Sequence, residues 1–83
     1  MSGIFYVIGT PIGNLDDITI RQLDTLNSVD FICAEDTRVT LKLLNRYEIK
    51  KQLVSFHEHS SKSDAQRIID RLLNGENCGI VTD

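Results

Sequence analysis

No run in this 83-residue chain approaches the roughly 20 apolar residues that a bilayer-spanning helix needs, so no membrane association is expected. The N-terminus lacks a charged region followed by a long apolar core, so no secretory signal is expected either, and the location is read as cytoplasmic. Cysteine is scarce. Cys33 and Cys78 lie far apart in sequence, each within an apolar, strand-like run. That context fits buried reduced thiols and gives little support to a disulfide or a shared metal. Repeats, linkers and low-complexity segments are missing. Basic residues are outnumbered, 9 against 12 acids, and the net charge of −3 argues against a surface that binds nucleic acid all over. The length permits one domain at most, burying on the order of 60–65% of its surface. The 41% apolar and 25% charged content is ordinary for a globular protein.

Proline occurs once, and its position is informative. The apolar run Ile4 to Ile8 contains two aromatic and three β-branched residues and reads as a buried strand. It breaks into Gly9-Thr10-Pro11-Ile12-Gly13-Asn14, and a helical pattern opens at Thr19. Thr19 and Gln22 have capping-box spacing, with Ile18 and Leu23 placed as a hydrophobic staple. Ile20, Leu23 and Leu26 form the apolar face, and the helix ends near Asn27-Ser28. Val29 to Ala34 reads as a second buried strand, followed by a helix with Asp36 or Thr37 as N-cap. Leu53 to Phe56 is a weaker third strand. Ser63 and Gln66 have the spacing of another capping box, Ala65, Ile68, Ile69, Leu72 and Leu73 form a third apolar stripe, and Gly75 suits C′. Cys78 to Thr82 is the fourth strand. This β-α-β-α-β-α-β order predicts an α/β fold, a parallel sheet of about four strands with flanking helices and right-handed crossovers. All four strand ends then lie on one edge, where open α/β sheets hold their ligands.

That edge collects the candidate chemistry. The glycine loop lacks G-x-G-x-x-G spacing, Pro11 removes a backbone donor, and no lysine follows as in a P-loop. It is either a tight turn or a loop whose bare backbone lets a ligand approach. Glu35 and Asp36 are either an acid/base pair or a helix cap with a salt bridge to Arg38. His57 and His59 flank Glu58; two histidines at this spacing can ligate metal, but no third ligand is evident, so no metal is expected. A substrate-facing role or an ordinary polar loop are the other readings. Between Arg38 and Lys51 the net charge is +4, leaving −7 for the rest. Arg38, Lys42 and Arg46, four apart, stack on one helix face, as a solvated surface or a phosphate-contacting stripe. The abrupt stop after the fourth strand suggests a piece of a larger protein.

Several segments together resemble one family. Gly9-Thr10-Pro11-Ile12-Gly13-Asn14-Leu15-Asp16-Asp17-Ile18-Thr19 resembles the first motif of the ribosomal RNA small subunit methyltransferase I family, within the tetrapyrrole methylase superfamily. Ala34-Glu35-Asp36-Thr37-Arg38 with Lys42-Leu43-Leu44 is similar to its second, Ser55-Phe56-His57-Glu58-His59 to its third, and Val81-Thr82-Asp83 to the start of a fourth. The departures Pro11 and Asn14 from the superfamily's G-x-G-x-G-D turn fit the ribosomal RNA branch and count against a corrin or porphyrin substrate. The resemblance implies an N-terminal α/β domain over residues 1–83, without the C-terminal domain and the Ala-Gly-Thr-Pro-like loop that complete the cleft. It implies S-adenosylmethionine as methyl donor and the 2′-hydroxyl of a cytidine in small-subunit (16S) ribosomal RNA, or the ribosomal subunit, as acceptor; a homodimer of the full-length form is left open. Gly9, Pro11, Ile12, Gly13 and Asp83 are then candidate cofactor contacts. Glu35, Asp36 and His57 are candidate bases, and Asn14, Arg38, Lys42, Arg46 and His59 candidate RNA contacts. The 83 residues alone are expected to be inactive. The rivals are a tetrapyrrole methylase and a non-catalytic α/β binding module.

Overall fold

A computed structural model describes residues 2–10, 14–57 and 59–82. Four strands, β1 (Phe5–Gly9), β2 (Phe31–Ala34), β3 (Gln52–Ser55) and β4 (Cys78–Thr82), form one parallel sheet in the order β1-β4-β2-β3. Three helices connect them: α1 (Ile20–Ser28), α2 (Thr37–Arg46) and α3 (Lys62–Leu73). A short 3-10 turn at Leu15–Asp17 precedes α1. The α/β class and the all-parallel sheet expected from the element order are therefore observed.

Alternation along the strands sorts the core into two layers. Ile8, Ile32, Ala34 and Val81 face α1 and α2, packing against Leu26, Leu43 and Leu44. Phe31, Cys33 and Cys78 face α3 and its Ile68. The central strand β2 is buried throughout. The β1 segment differs from the expectation of a buried strand. It is the edge of the sheet, and only Ile8 is fully buried, whereas Val7 is 71% exposed. Its composition cannot distinguish the two cases; strand order decides, because α3 covers β2 and β4 and leaves Phe5 and Val7 uncovered.

Three of the local signals hold and two shift. The Thr19–Gln22 capping box forms in both directions, and Asp36 caps α2. Ile20, assigned to the apolar face, is 79% exposed. The capping box of α3 sits two residues earlier than expected, on Ser61 and Asp64 instead of Ser63 and Gln66. Gly75 follows the Asn74 cap with φ 95°, a left-handed turn that glycine adopts without steric cost.

Side chains at the amino edge lock the register. The Asn77 amide donates to Asp30 Oδ2 at 2.7 Å, and Asn77 Oδ1 accepts from the Ile4 amide at 2.8 Å. One residue thus ties the starts of β1, β2 and β4. Arg71 of α3 makes paired 2.9 Å bonds to Glu76, a 3.0 Å bond to Gln52 of β3, and lies 3.8 Å over the Phe31 ring.

Candidate functional site at the carboxyl edge

Parallel strands deliver their following residues to one side of the sheet, and four polar segments meet there. β1 ends at Gly9; a Cβ built on Gly9 would meet nothing within 4 Å, so its backbone is open to a ligand. The Gly9 carbonyl accepts a bond from the Gln22 side chain, the same residue that closes the α1 capping box. Thr10 donates its amide (2.8 Å) and its hydroxyl (3.0 Å) to the Thr82 carbonyl, clasping the ends of β1 and β4. Pro11, Ile12, Gly13 and Asp83, candidates for cofactor contact, lie outside the described residues.

β2 delivers Glu35 and Asp36. The Asp36 carboxylate accepts from the Arg38 amide at 3.0 Å and lies 3.5 Å from Arg38 Nε, as the cap-and-salt-bridge reading has it. The Arg38 amide bond holds its carboxyl below the usual carboxylate range. Glu35 is exposed and has no hydrogen-bond or ion-pair partner for its carboxylate among the described residues.

β3 delivers His57. Its amide donates to Ser60 Oγ at 2.9 Å, and its Nδ1 accepts from the His59 amide at 3.1 Å. An Nδ1 that accepts from an amide carries no proton, so neutral His57 holds its proton on Nε2 and presents a donor. The His57 and His59 rings sit edge to face, centroids 5.9 Å apart.

A cavity of about 550 Å³ opens among these segments, lined by Glu35, His57, Ser60, Lys62, Val81 and Thr82 among others. A second, of about 410 Å³, adjoins it and is lined by Glu35, Asp36, Arg38, His57 and His59. The structure therefore joins five of the sequence candidates around shared space. It leaves four elsewhere. Gly9 lines a separate cavity of about 400 Å³ with Arg21, Gln22 and Thr25 among others. Asn14 caps the 3-10 turn by accepting from the Asp16 amide at 3.0 Å. Lys42 is exposed on α2 and lines neither cavity. Arg46 bonds Asp16 at 2.9 Å, with Tyr47 donating to the Leu15 carbonyl at 2.8 Å, so it pins the loop before α1 to the end of α2. The cavity-lining residues that sequence reasoning read only as a polar loop are Ser60, Ser61 and Lys62, and Gln22 was read only as a helix cap. The Ser61-x-x-Asp64 spacing was the available signal for the start of α3.

Comparison with known proteins gives a consistent picture. Residues 5–83 match the family model described as tetrapyrrole (corrin/porphyrin) methylases. Over 98% of its length the chain is 54% identical to a protein of Bacillus subtilis (strain 168) named ribosomal RNA small subunit methyltransferase I. It is equally identical, over the same share, to a protein of that name from Thermotoga maritima. The chain spans 28% of the first relative and 36% of the second.

Proposed function

The chain belongs to the tetrapyrrole (corrin/porphyrin) methylase family, and from that membership we propose that it forms one wall of the cleft of an S-adenosylmethionine-dependent methyltransferase acting on a cytidine 2′-hydroxyl of small-subunit ribosomal RNA. The observation that carries the reading is the 54% identity, across nearly the whole chain, to proteins named for ribosomal RNA methylation. The activity is proposed for a cytoplasmic protein of the relatives' length, whose further residues supply a second α/β domain and the opposite wall.

The donor set suits such a ligand: bare backbone at Gly9, which lines its own cavity of about 400 Å³, and polar strand ends around the 550 Å³ cavity. Gly9, the loop through Pro11, Ile12 and Gly13, and Asp83 would hold S-adenosylmethionine, which supplies the methyl group. Transfer to oxygen is an in-line displacement, so orientation of the acceptor is the protein's main task. Glu35, with no partner for its carboxylate among the described residues, is the base for the 2′-hydroxyl proton. Asp36 holds the start of α2 and keeps Arg38 in place. His57 donates from Nε2 and orients substrate. Arg38 and Lys42 contact RNA phosphates, with Asn14 and His59 at the margin; Arg46 acts through the loop it pins.

The test is single-turnover methylation of small-subunit RNA by the full-length protein. Glu35→Gln should slow it by about 10²–10⁴, His57→Ala less, and Asp36→Asn least. Near-normal turnover in Glu35→Gln removes the base assignment. Methylation of a tetrapyrrole in place of RNA favours the other branch of the family, and absence of S-adenosylmethionine binding by calorimetry favours a non-catalytic module.

A further inference from the structure

Cys33 and Cys78 are the chain's only cysteines, and the fold brings them together. They sit on neighbouring strands β2 and β4, both wholly buried beneath α3, with their Sγ atoms 3.4 Å apart. The register places Cys78 opposite Phe31 and Cys33 opposite Ile80, so the two are diagonal neighbours on one face. The proposed methyl transfer uses neither thiol. Beside them lies an apolar cavity of about 210 Å³, lined by Cys33, Phe5, Phe56, Ile69 and Ile80 among others. Phe5 and Ile69 at its mouth are 45% and 46% exposed, which opens a route for a small uncharged reagent.

We infer that Cys33 and Cys78 are a redox-active dithiol that hydrogen peroxide closes to a disulfide joining β2 and β4. Cys33 lines the apolar cavity and Cys78 does not, so Cys33 is the attacking sulfur. The hydrogen bond from Cys78 holds its pKa below the usual thiol value against the opposing effect of burial, with a smaller contribution from the Arg71 charge. The same bond, then burial, pushes Cys78 up. The Cys33 sulfur takes one peroxide oxygen as the O–O bond breaks, and the other oxygen leaves as water. The Cys78 sulfur then attacks the resulting sulfenic acid; the S–S bond forms, the S–O bond breaks and a second water leaves. In sum two thiols and one hydrogen peroxide become one disulfide and two waters.

The experiment treats the folded chain with hydrogen peroxide, blocks remaining thiols after unfolding, and reads intact mass and peptide map. The expected result is loss of both thiols with the mass of two hydrogens, a Cys33–Cys78 linked peptide, and full reversal by dithiothreitol. Cys78→Ser should instead leave a Cys33 sulfenic acid that dimedone traps. Thiols that survive in the folded chain at a dose that oxidises the unfolded one overturn the proposal. So do sulfinic acids without a link, or disulfides only between chains.

Discussion

Gln22 performs two jobs that one substitution can separate. Its Oε1 accepts from the Thr19 amide at 2.9 Å, closing the α1 cap, while its Nε2 donates to the Gly9 carbonyl at the end of β1. Gln22→Glu keeps the first bond, since either oxygen of a carboxylate can accept, and adds a negative charge where the helix dipole favours it by about 0.3–1 kcal/mol. It abolishes the second bond, worth about 0.5–1.5 kcal/mol, and sets oxygen against oxygen. These changes nearly cancel, so the net shift in stability should stay within about 1 kcal/mol. Gln22→Ala loses both bonds and gains nothing, which costs about 1–3 kcal/mol. With a urea slope near 1 kcal/mol/M for so small a chain, that lowers the midpoint by about 1–3 M. Amide exchange at Thr10 reports the loop separately and should speed up in both variants. In the full-length protein both should weaken S-adenosylmethionine binding. Equal destabilisation of the Glu and Ala variants would refute the cap assignment. Unchanged exchange at Thr10 in Gln22→Glu would refute the tie between helix and loop.

Other consequences are open to direct measurement. Leu26 is wholly buried between α1 and the sheet, so Leu26→Ala should cost about 2–5 kcal/mol and lower Tm by at least about 10 °C; calorimetry showing a drop of only a few degrees would contradict the packing. Asp16, Asp36, Asp64 and Glu76 are all held below the usual carboxylate range, by the side-chain bond from Arg46, the Arg38 amide, the Ser61 amide and the side-chain bond from Arg71 respectively. The unfolded chain then binds more protons, so their contribution is complete above about pH 5 and fades as pH falls through the folded values. The urea midpoint should fall on that side, and Asp64→Asn should flatten the fall; a midpoint constant down to pH 2 would count against it. Val7 projects at 71% exposure from β1, an edge strand that pairs only with β4. The 83-residue chain should therefore self-associate with rising concentration, and Val7→Lys should suppress this in light scattering; equal masses for both would remove the edge as the cause.

Much of the fold was legible because its signals are local. Strand runs, the Thr19–Gln22 box, the Asp36 cap and Gly75 each depend on a few neighbouring residues, and α/β alternation then implies a parallel sheet. What was misjudged depended on partners distant in sequence. β1 reads as buried because its residues are apolar, yet burial requires a layer on both faces. Arg46 looks equivalent to Arg38 and Lys42 on the helix surface until the turn at Leu15–Asp17 brings Asp16 to it. Asp36 had two readings, and the Arg38 amide favours the cap. The α3 box was read at Ser63 and Gln66 because they match the S-x-x-Q spacing, whereas the structure forms it at Ser61 and Asp64.

By itself, the amino-acid order determined the number and kind of elements, their parallel arrangement and the edge where strand ends gather, since periodicity, capping and crossover handedness are short-range constraints. Only the tertiary structure decided that β4 inserts between β1 and β2, because strand order is set by which faces bury most apolar surface together. That insertion puts Thr82 against Thr10 and Cys78 against Cys33, while the pairing of β2 with β3 sets Glu35 beside the His57 loop. None of these pairs is close in sequence, and each exists only once the sheet is assembled.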